Sequence, residues 1–399
     1  MRFMNIKVIG ISLSLLLSFQ VAWAQKKINT KSTTTQGGSN VAKDAFEPYN
    51  APIIKRRVLT KDLQNNNEVY YFNNQPYTGT SIDLFDNKTK MQEINWKDGL
   101  LHGDKIEYFL GGNQIRAKLS FNMGKRNGPF VYYHENGNIQ LIGKYINDEL
   151  DSNVTCLYEN GLPKYIHQYQ KGIRTGWSLT YFKDGQLEQK VYLINDIPNG
   201  LMQSYYPAGN IRSEIEYTNG IRNGKCYKYH LTGLIAEETY YKQGLLDSIS
   251  RYSDNVFGVV LKEEFFRLGK REGNSISFNE AGDTLNVYHY ENDVLNGPYM
   301  KYFSGVKDFG KKKVNKPFDP KTSNKQYVRG LDEVGAYKNG LLDGPFKSGL
   351  FNKAEHVEGE YASGKMVGEW RYYNEKGKMV LYQKYNNEGE LLEQKPKQK

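Results

Sequence analysis

The sequence predicts an all-β fold: an elongated, single-layer meander of antiparallel β-hairpins repeating every 24 or 25 residues. Three observations lead there. A glycine motif recurs along most of the chain, as in Asp98-Gly-Leu-Leu-His-Gly103, Asn219-Gly-Ile-Arg-Asn-Gly224, Leu268-Gly-Lys-Arg-Glu-Gly273 and Asn339-Gly-Leu-Leu-Asp-Gly344. Its second glycine, here called the phase position, falls at 79, 103, 128, 176, 200, 224, 273, 297, 344 and 368. Ser152 and Ser248 stand in the same phase, and one step is 47 residues long. Between these glycines, apolar and polar residues alternate with period two, which is the pattern of half-buried strands. Finally, 32 tyrosines and 39 glycines suit pleated sheet with many turns, while only 38% of residues are hydrophobic, too few for a deep globular core. Stacked repeats make one body of any length, so 399 residues do not require several domains.

Taken in order, residues 1–24 form a secretion signal: Arg2 and Lys7 are basic, 6–17 is apolar, and Ala22-Trp23-Ala24 is a cleavage site before Gln25. The apolar run is short for a membrane span, and no cysteine at the cleavage site allows lipid attachment. Cleavage would remove two cations and leave a net charge of +8 with both signs interspersed, a solvated mixed surface able to attract anions weakly. Residues 25–57 are polar and read as a flexible leader. Val58-Leu59 and Val69-Tyr-Tyr-Phe72 then supply first strands that cap the array, which runs over 58–390.

One repeat shows the expected construction. Gly200 opens a strand carrying Leu201, Gln203 and Tyr205 on one face; Pro207-Ala-Gly209 turns the chain; a second strand carries Ile211, Ile215 and Tyr217. A three-residue loop ending in glycine suits a type I turn closed by a left-handed residue in a G1 bulge, and glycine fills that slot at 112, 137, 161, 185, 209, 233, 282 and 377. This register places the apolar residues of both strands on one face. Columns agree across repeats: Ile82, Ile106, Val131, Leu179, Tyr227, Ile276 and Met300 lie three past the phase position, and Tyr108, Tyr133, Tyr181, Tyr205, Tyr229 and Tyr302 five past it. Trp96, Tyr145, Tyr217, Tyr241, Phe265, Tyr290 and Tyr385 lie seventeen past it. Such cross-strand ladders contribute roughly 0.2–1 kcal/mol per pair. Cys156 and Cys226 are three repeats apart, roughly 28 Å at ~4.8 Å per strand, so two free thiols are expected.

The long step is expected to hold an insertion, 304–332, with Lys311-Lys-Lys313 and Phe318, projecting as a loop for a partner. Residues 391–399 read as a disordered tail whose lysines and proline discourage edge pairing.

The recurring Asn-Gly turn followed by paired aromatics, as at Tyr132-Tyr133 with Asn136-Gly137, Tyr181-Phe182 with Asp184-Gly185 and Tyr372-Tyr373 with Lys376-Gly377, resembles MORN repeats over about residues 68–390. It is most similar to the bacterial variant MORN repeat, found in exported proteins and in a family labelled toxin–antitoxin system antitoxin. The resemblance implies an antiparallel meander used for protein contacts and sometimes for membrane-lipid contacts, with any catalysis in a separate domain.

Chemical motifs are missing from the sequence. The six histidines have no metal-ligand spacing, and there is no nucleophile elbow, phosphate loop or HExxH. His134 and His230 share a column six past the phase position with Phe109, Phe182, Tyr206 and Phe303 and read as aromatic substitutes. Strand alternation sends the adjacent carboxylates Glu263 and Glu264 to opposite faces. The expectation is a non-enzymatic exported scaffold of the periplasm or cell surface, without cofactor or nucleic acid, mediating protein–protein contacts in the cell envelope. Its candidate contact residues are Phe109, Phe182, Tyr206 and Phe303, with Lys311, Lys312, Lys313 and Phe318 in the insertion. The alternatives are binding of an anionic lipid or surface glycan, and an antitoxin-like inhibitor.

Overall fold

The computed structural model describes residues 57–308, 325–352 and 354–396; the expected signal peptide and nearly all of the leader lie outside them. The chain divides into two units, 1–173 and 174–399. Within each, strands follow one another in sequence order in an open antiparallel sheet, and thirty strands take this arrangement. The repeat architecture is therefore as the glycine spacing predicts.

The N-terminal end departs from the hairpin rule. Arg57–Leu59, which begins one residue inside the expected leader, pairs in parallel with the first repeat strand, Gly79–Leu84. Three short strands, Gln64–Asn66, Val69–Phe72 and Gln75–Pro76, make a separate small sheet. Together they cover a core of Leu63, Tyr77, Ile94 and Trp96. Trp96 donates its indole N–H to the Ser81 hydroxyl at 2.8 Å, so its one polar atom is satisfied as it is buried.

Two kinds of turn alternate along the sheet. The turn inside most repeats is the expected three-residue loop: Gly209 N–H donates to the Tyr206 carbonyl, Tyr206 N–H donates to the Asn210 carbonyl, and Gly209 has a φ of 87°. The turn linking one repeat to the next is a two-residue type I′ turn, with both residues left-handed, as at Asn219 (φ 50°) and Gly220 (φ 79°).

The face assignment from the sequence needs correction. A β-bulge follows most inner turns, so Tyr205 opposes Ile211 but Ser204 opposes Ser213. Arg212 is the extra residue, and beyond it Ile215 and Tyr217 oppose Met202 and Gly200 on the other face, away from Leu201, Gln203 and Tyr205. Apolar surface is thus shared between the two faces. One carries the columns three and five past the phase position. The other carries the column two past it, including Phe130, Val154, Cys226, Tyr299 and Trp370, all buried.

A second irregularity sits at the phase position itself. Ile215 opposes Cys226 but Tyr217 opposes Arg222, so two extra residues bulge around Gly224, whose φ is 121°. The phase glycine is thereby a bulge residue, and in most repeats an aromatic lies opposite it: Trp96 faces Gly79, Phe121 faces Gly103, Tyr217 faces Gly200 and Tyr385 faces Gly368, whereas Leu193 faces Gly176. In the repeat opened by Ser248 this partner is Phe266, not Phe265, because that repeat is one residue longer. Ser152 and Ser248 keep the left-handed backbone, each with a φ of 68°.

Large side chains in the buried column are matched by glycines on the neighbouring strand. A Cβ on Gly143 would lie 2.7 Å from the Phe130 ring, and one on Gly335 would lie 2.7 Å from the Tyr299 ring. Gly359 gives the same room to Trp370. These glycines exist for space, since none has a positive φ.

The insertion is not a loop at its roots. Strands Gly297–Asp308 and Lys325–Lys338 pair continuously from Gly297–Tyr337 to Asp308–Lys325, so the long step extends a hairpin by continuing both strands. Its polar composition concealed the pairing, because backbone hydrogen bonds need no apolar alternation. The tail also differs from expectation: Leu391–Pro396 is a strand paired with Met379–Tyr385, with Lys395 and Pro396 on the sheet edge.

Candidate interaction surface

The candidate column six past the phase position lies at the inner turns, immediately outside the first strand of the repeat, except for Phe303, which lies within the strand Gly297–Asp308 opposite Gly330. Its members are half-buried apart from Phe303, which is 39% exposed. Tyr206 donates its hydroxyl to the Tyr229 carbonyl at 2.7 Å. The ring Nε2 of His134 lies 3.0 Å from the Leu157 carbonyl, and that of His230 lies 3.0 Å from the Ser253 carbonyl. These three links share one geometry, from residue n to the carbonyl of n+23. The two histidines therefore substitute for an aromatic, as expected, and they also carry the polar link. Phe109 and Phe182 fill the slot without a polar atom.

The candidates do not converge. Phe182 and Tyr206 occupy neighbouring turns of the second unit, whereas Phe303 lies four repeats beyond Tyr206. Phe109, in the first unit, lines an open cleft of about 310 Å³ with Phe85, Met91 and Arg116. Lys311, Lys312, Lys313 and Phe318 lie outside the described residues.

Phe303 has a partner that the sequence reading missed. Its ring stacks on Phe351 with centroids 4.6 Å apart. Phe351 belongs to a 3-10 turn, Leu350–Asn352, that replaces the usual inner turn of the repeat opened by Gly344. A Cβ on Gly330 would lie 2.8 Å from the Phe351 ring, so the turn packs against both strands of the long hairpin. The available signal was Lys353, which stands nine past Gly344 where most other repeats carry the turn glycine. Beside this brace, Tyr299 is buried among Tyr288 and Tyr337 and donates its hydroxyl to Glu333, which also pairs with Lys301 at 2.8 Å. Burial pushes the Tyr299 hydroxyl far above its ordinary pKa, with the Glu333 hydrogen bond adding to the rise.

The linking turns are closed by the repeat before them. The second turn residue donates its N–H to a carbonyl two before the preceding phase position: Gly220 to Pro198, Gly244 to Arg222 and Gly364 to Leu342, at 2.7–2.9 Å. The first donates to the side chain one before that phase position: Gln243 to Asn223 at 3.2 Å and Ser363 to Asp343 at 3.0 Å. Where Asp148 or Asp293 replaces the turn glycine, its carboxylate accepts from the backbone and guanidinium of Arg126 or Arg271. Those hydrogen bonds, the backbone one foremost, hold both carboxyls below their ordinary pKa. Turn polar groups are thus largely committed within the array.

Both cysteines are free thiols. Among the described residues no group of three or more His, Cys, Asp or Glu is placed to hold a metal, and no helix is long and apolar enough to cross a membrane. Glu263 pairs with Arg251, while Glu264 is buried on the other face beside Lys262, so these adjacent carboxylates do not cooperate.

No protein-family model matches the chain, and no curated protein matches it significantly. Matches among solved structures include a Tc holotoxin pore of Photorhabdus luminescens with a mutant TccC3 component, at 11% identity over 82% of this chain and TM-score 0.13. The TcdB2-TccC3-Cdc42 complex matches at 9% identity over 76% of this chain and TM-score 0.12. TcdB2-TccC3 matches at 10% identity over 79% and TM-score 0.09. The chain spans between 19% and 25% of the length of those proteins, and likeness at these TM-scores has no bearing on function.

Proposed function

We propose that this chain is an exported, non-enzymatic repeat scaffold of the MORN type that docks a protein partner in the cell envelope, and that the long hairpin is its docking element. One observation carries this reading. Turn after turn, the array satisfies its own polar groups and repeats one geometry, and the pattern breaks where two strands extend beyond the sheet and a dedicated aromatic stack, Phe303 on Phe351, braces their root. Long insertions in repeat arrays commonly mark the working face. The basic start and small-residue cleavage site of residues 1–24 support export.

The test removes 304–332 and rejoins the strands through a two-residue Asn-Gly turn. Envelope proteins that co-purify with the natural chain should be lost, while the circular dichroism of the array is retained. Co-purification unchanged by the deletion would refute the assignment. Fractionation of cells expressing the full chain tests export separately, and retention in the cytoplasm would refute it.

A further inference from the structure

In the second unit, the face bearing the column three past the phase position has an exposed outer row that the scaffold reading does not use. Trp177, Tyr192, Leu201, Tyr240 and Phe265 lie along it, each 38–42% exposed. Trp177 opposes Tyr192 with rings edge to face at 5.4 Å, and Tyr240 opposes Lys225. The other described tryptophans, Trp96 and Trp370, are 5% and 2% exposed. Ordinary strand pairing hides large aromatics or replaces them with charge on a solvated face. Here they recur in the repeats opened by Gly176, Gly224 and Ser248, with Leu201 in the repeat between the first two.

Beside this row runs a second one of planar polar groups. Gln203 donates to Glu214 at 2.6 Å, and Tyr229 donates to the other oxygen of Glu214 at 2.7 Å. Arg251 bridges Glu238 at 3.2 Å and Glu263 at 2.9 Å. These bonds fix the amide, carboxylate and guanidinium planes, and they leave carboxylate lone pairs for a further donor. Such a ladder is organised before any ligand arrives, which reduces the ordering cost of binding.

We propose that this face binds a neutral, linear polysaccharide, with its pyranose rings lying on the aromatic row and its hydroxyls pairing with the polar row. A sugar chain has the matching amphipathic form, an apolar C–H face and a rim of hydroxyls that both donate and accept. Charge decides against an anionic polymer. Along the two rows Lys190, Lys225 and Arg251 are outnumbered by Glu214, Glu216, Glu238 and Glu263, a local net of minus one on a chain of net +10. Five strand spacings of about 4.8 Å separate Trp177 from Tyr240 by about 24 Å, within reach of an extended hexasaccharide. The site is independent of the long hairpin.

The test uses the full chain carrying Trp23→Phe, so that exposed Trp177 dominates changes in emission. Cellohexaose and chitohexaose are titrated separately, with polygalacturonate as the acidic comparison, and calorimetry provides affinities. A saturable Trp177 blue shift with one of the neutral hexaoses is expected. Tyr192→Ala and Tyr240→Ala should each weaken that binding about tenfold, the weight of one lost stacking contact, with circular dichroism unchanged. Phe109→Ala should leave it intact. No response to either hexaose, a response confined to polygalacturonate, affinity unchanged in both tyrosine variants, or a shift that appears with protein concentration alone would each overturn the proposal. The last would assign the face to a second copy of the chain.

Discussion

Replacing Gly335 by alanine tests whether the root of the long hairpin is as tightly fitted as its geometry implies. The backbone at Gly335 is not left-handed, so alanine is conformationally acceptable and would stabilise by about 0.4–1 kcal/mol through the unfolded chain. Against this, the new Cβ would lie 2.7 Å from Tyr299 Cε1 and 3.1 Å from its Cζ, whereas carbon atoms rest about 3.5–4.0 Å apart. The ring cannot simply swing away. It is 2% exposed, its hydroxyl is bonded to Glu333, and Tyr288 and Tyr337 pack on it at 5.8 and 5.0 Å. Overpacking of this kind costs about 1–3 kcal/mol, so a net loss of about 1–2 kcal/mol is expected. Urea denaturation gives the global effect, and hydrogen exchange should show faster opening of Gly297–Asp308 and Lys325–Lys338 before other strands. In a Tyr299→Ala background the same substitution should cost nothing, so the double-mutant cycle should show coupling of at least about 1 kcal/mol. Additive effects of the two substitutions, or a more stable Gly335→Ala protein, would refute the close-packing argument.

Three further outcomes follow from the same geometry. Ser152→Gly and Ser248→Gly should each stabilise by about 0.5–1 kcal/mol, since glycine relieves the ~1–2 kcal/mol cost of left-handed φ but loses ~0.5–1 kcal/mol of unfolded-chain entropy; a lower denaturation midpoint would contradict the bulge assignment. Tyr206→Phe should cost about 0.5–1.5 kcal/mol by leaving the Tyr229 carbonyl without its bond, measured against Phe182→Leu as a packing control. Alkali should unfold the array. Burial foremost raises the Tyr165 hydroxyl to about 12 from an ordinary 10, and Tyr132, Tyr181 and Tyr205 are shifted the same way. A raised folded pKa means stability that is complete below pH ~10 and lost as pH climbs toward 12. Tyrosinate absorbance should therefore rise together with loss of sheet signal, and independent titration near pH 10 with the sheet intact would contradict the burial.

Fold class, repeat period and the inner turn type were legible in the sequence because they depend on local requirements: glycine where φ is positive, and alternation between. The register was less so. Arg212 looks like any outward residue of a strand, and nothing in its chemistry announces that the ladder skips it; the bulge arises from how a type I turn feeds a twisted pair. Likewise Phe265 and Phe266 are equivalent in sequence, and only the extra residue in that repeat decides which one faces Ser248. Side-chain column six was recognisable as aromatic, but its hydrogen bonds to the next repeat depend on reach across strands. Phe351 was hidden because its significance lies in Gly330 and Phe303, contacts between different repeats.

The linking turns have a direction. Each donates its N–H groups to acceptors of the repeat before it, so a linking turn is closed only when that repeat stands beside it. The beginning is supplied by the cap, where Thr78 and Tyr77 accept from Asp98 and Gly99. At the other end, the position that should serve the next turn is Val367, a side chain with nothing to accept a proton, and the final strand is reached through an inner-type turn at Asn386 and Gly389 instead. The acceptors for the linking turns are therefore laid out from the cap to Asp343, and the series lapses at Val367. Duplicating an internal repeat would carry its own fastener with it, whereas extension past Val367 would first require changing that residue.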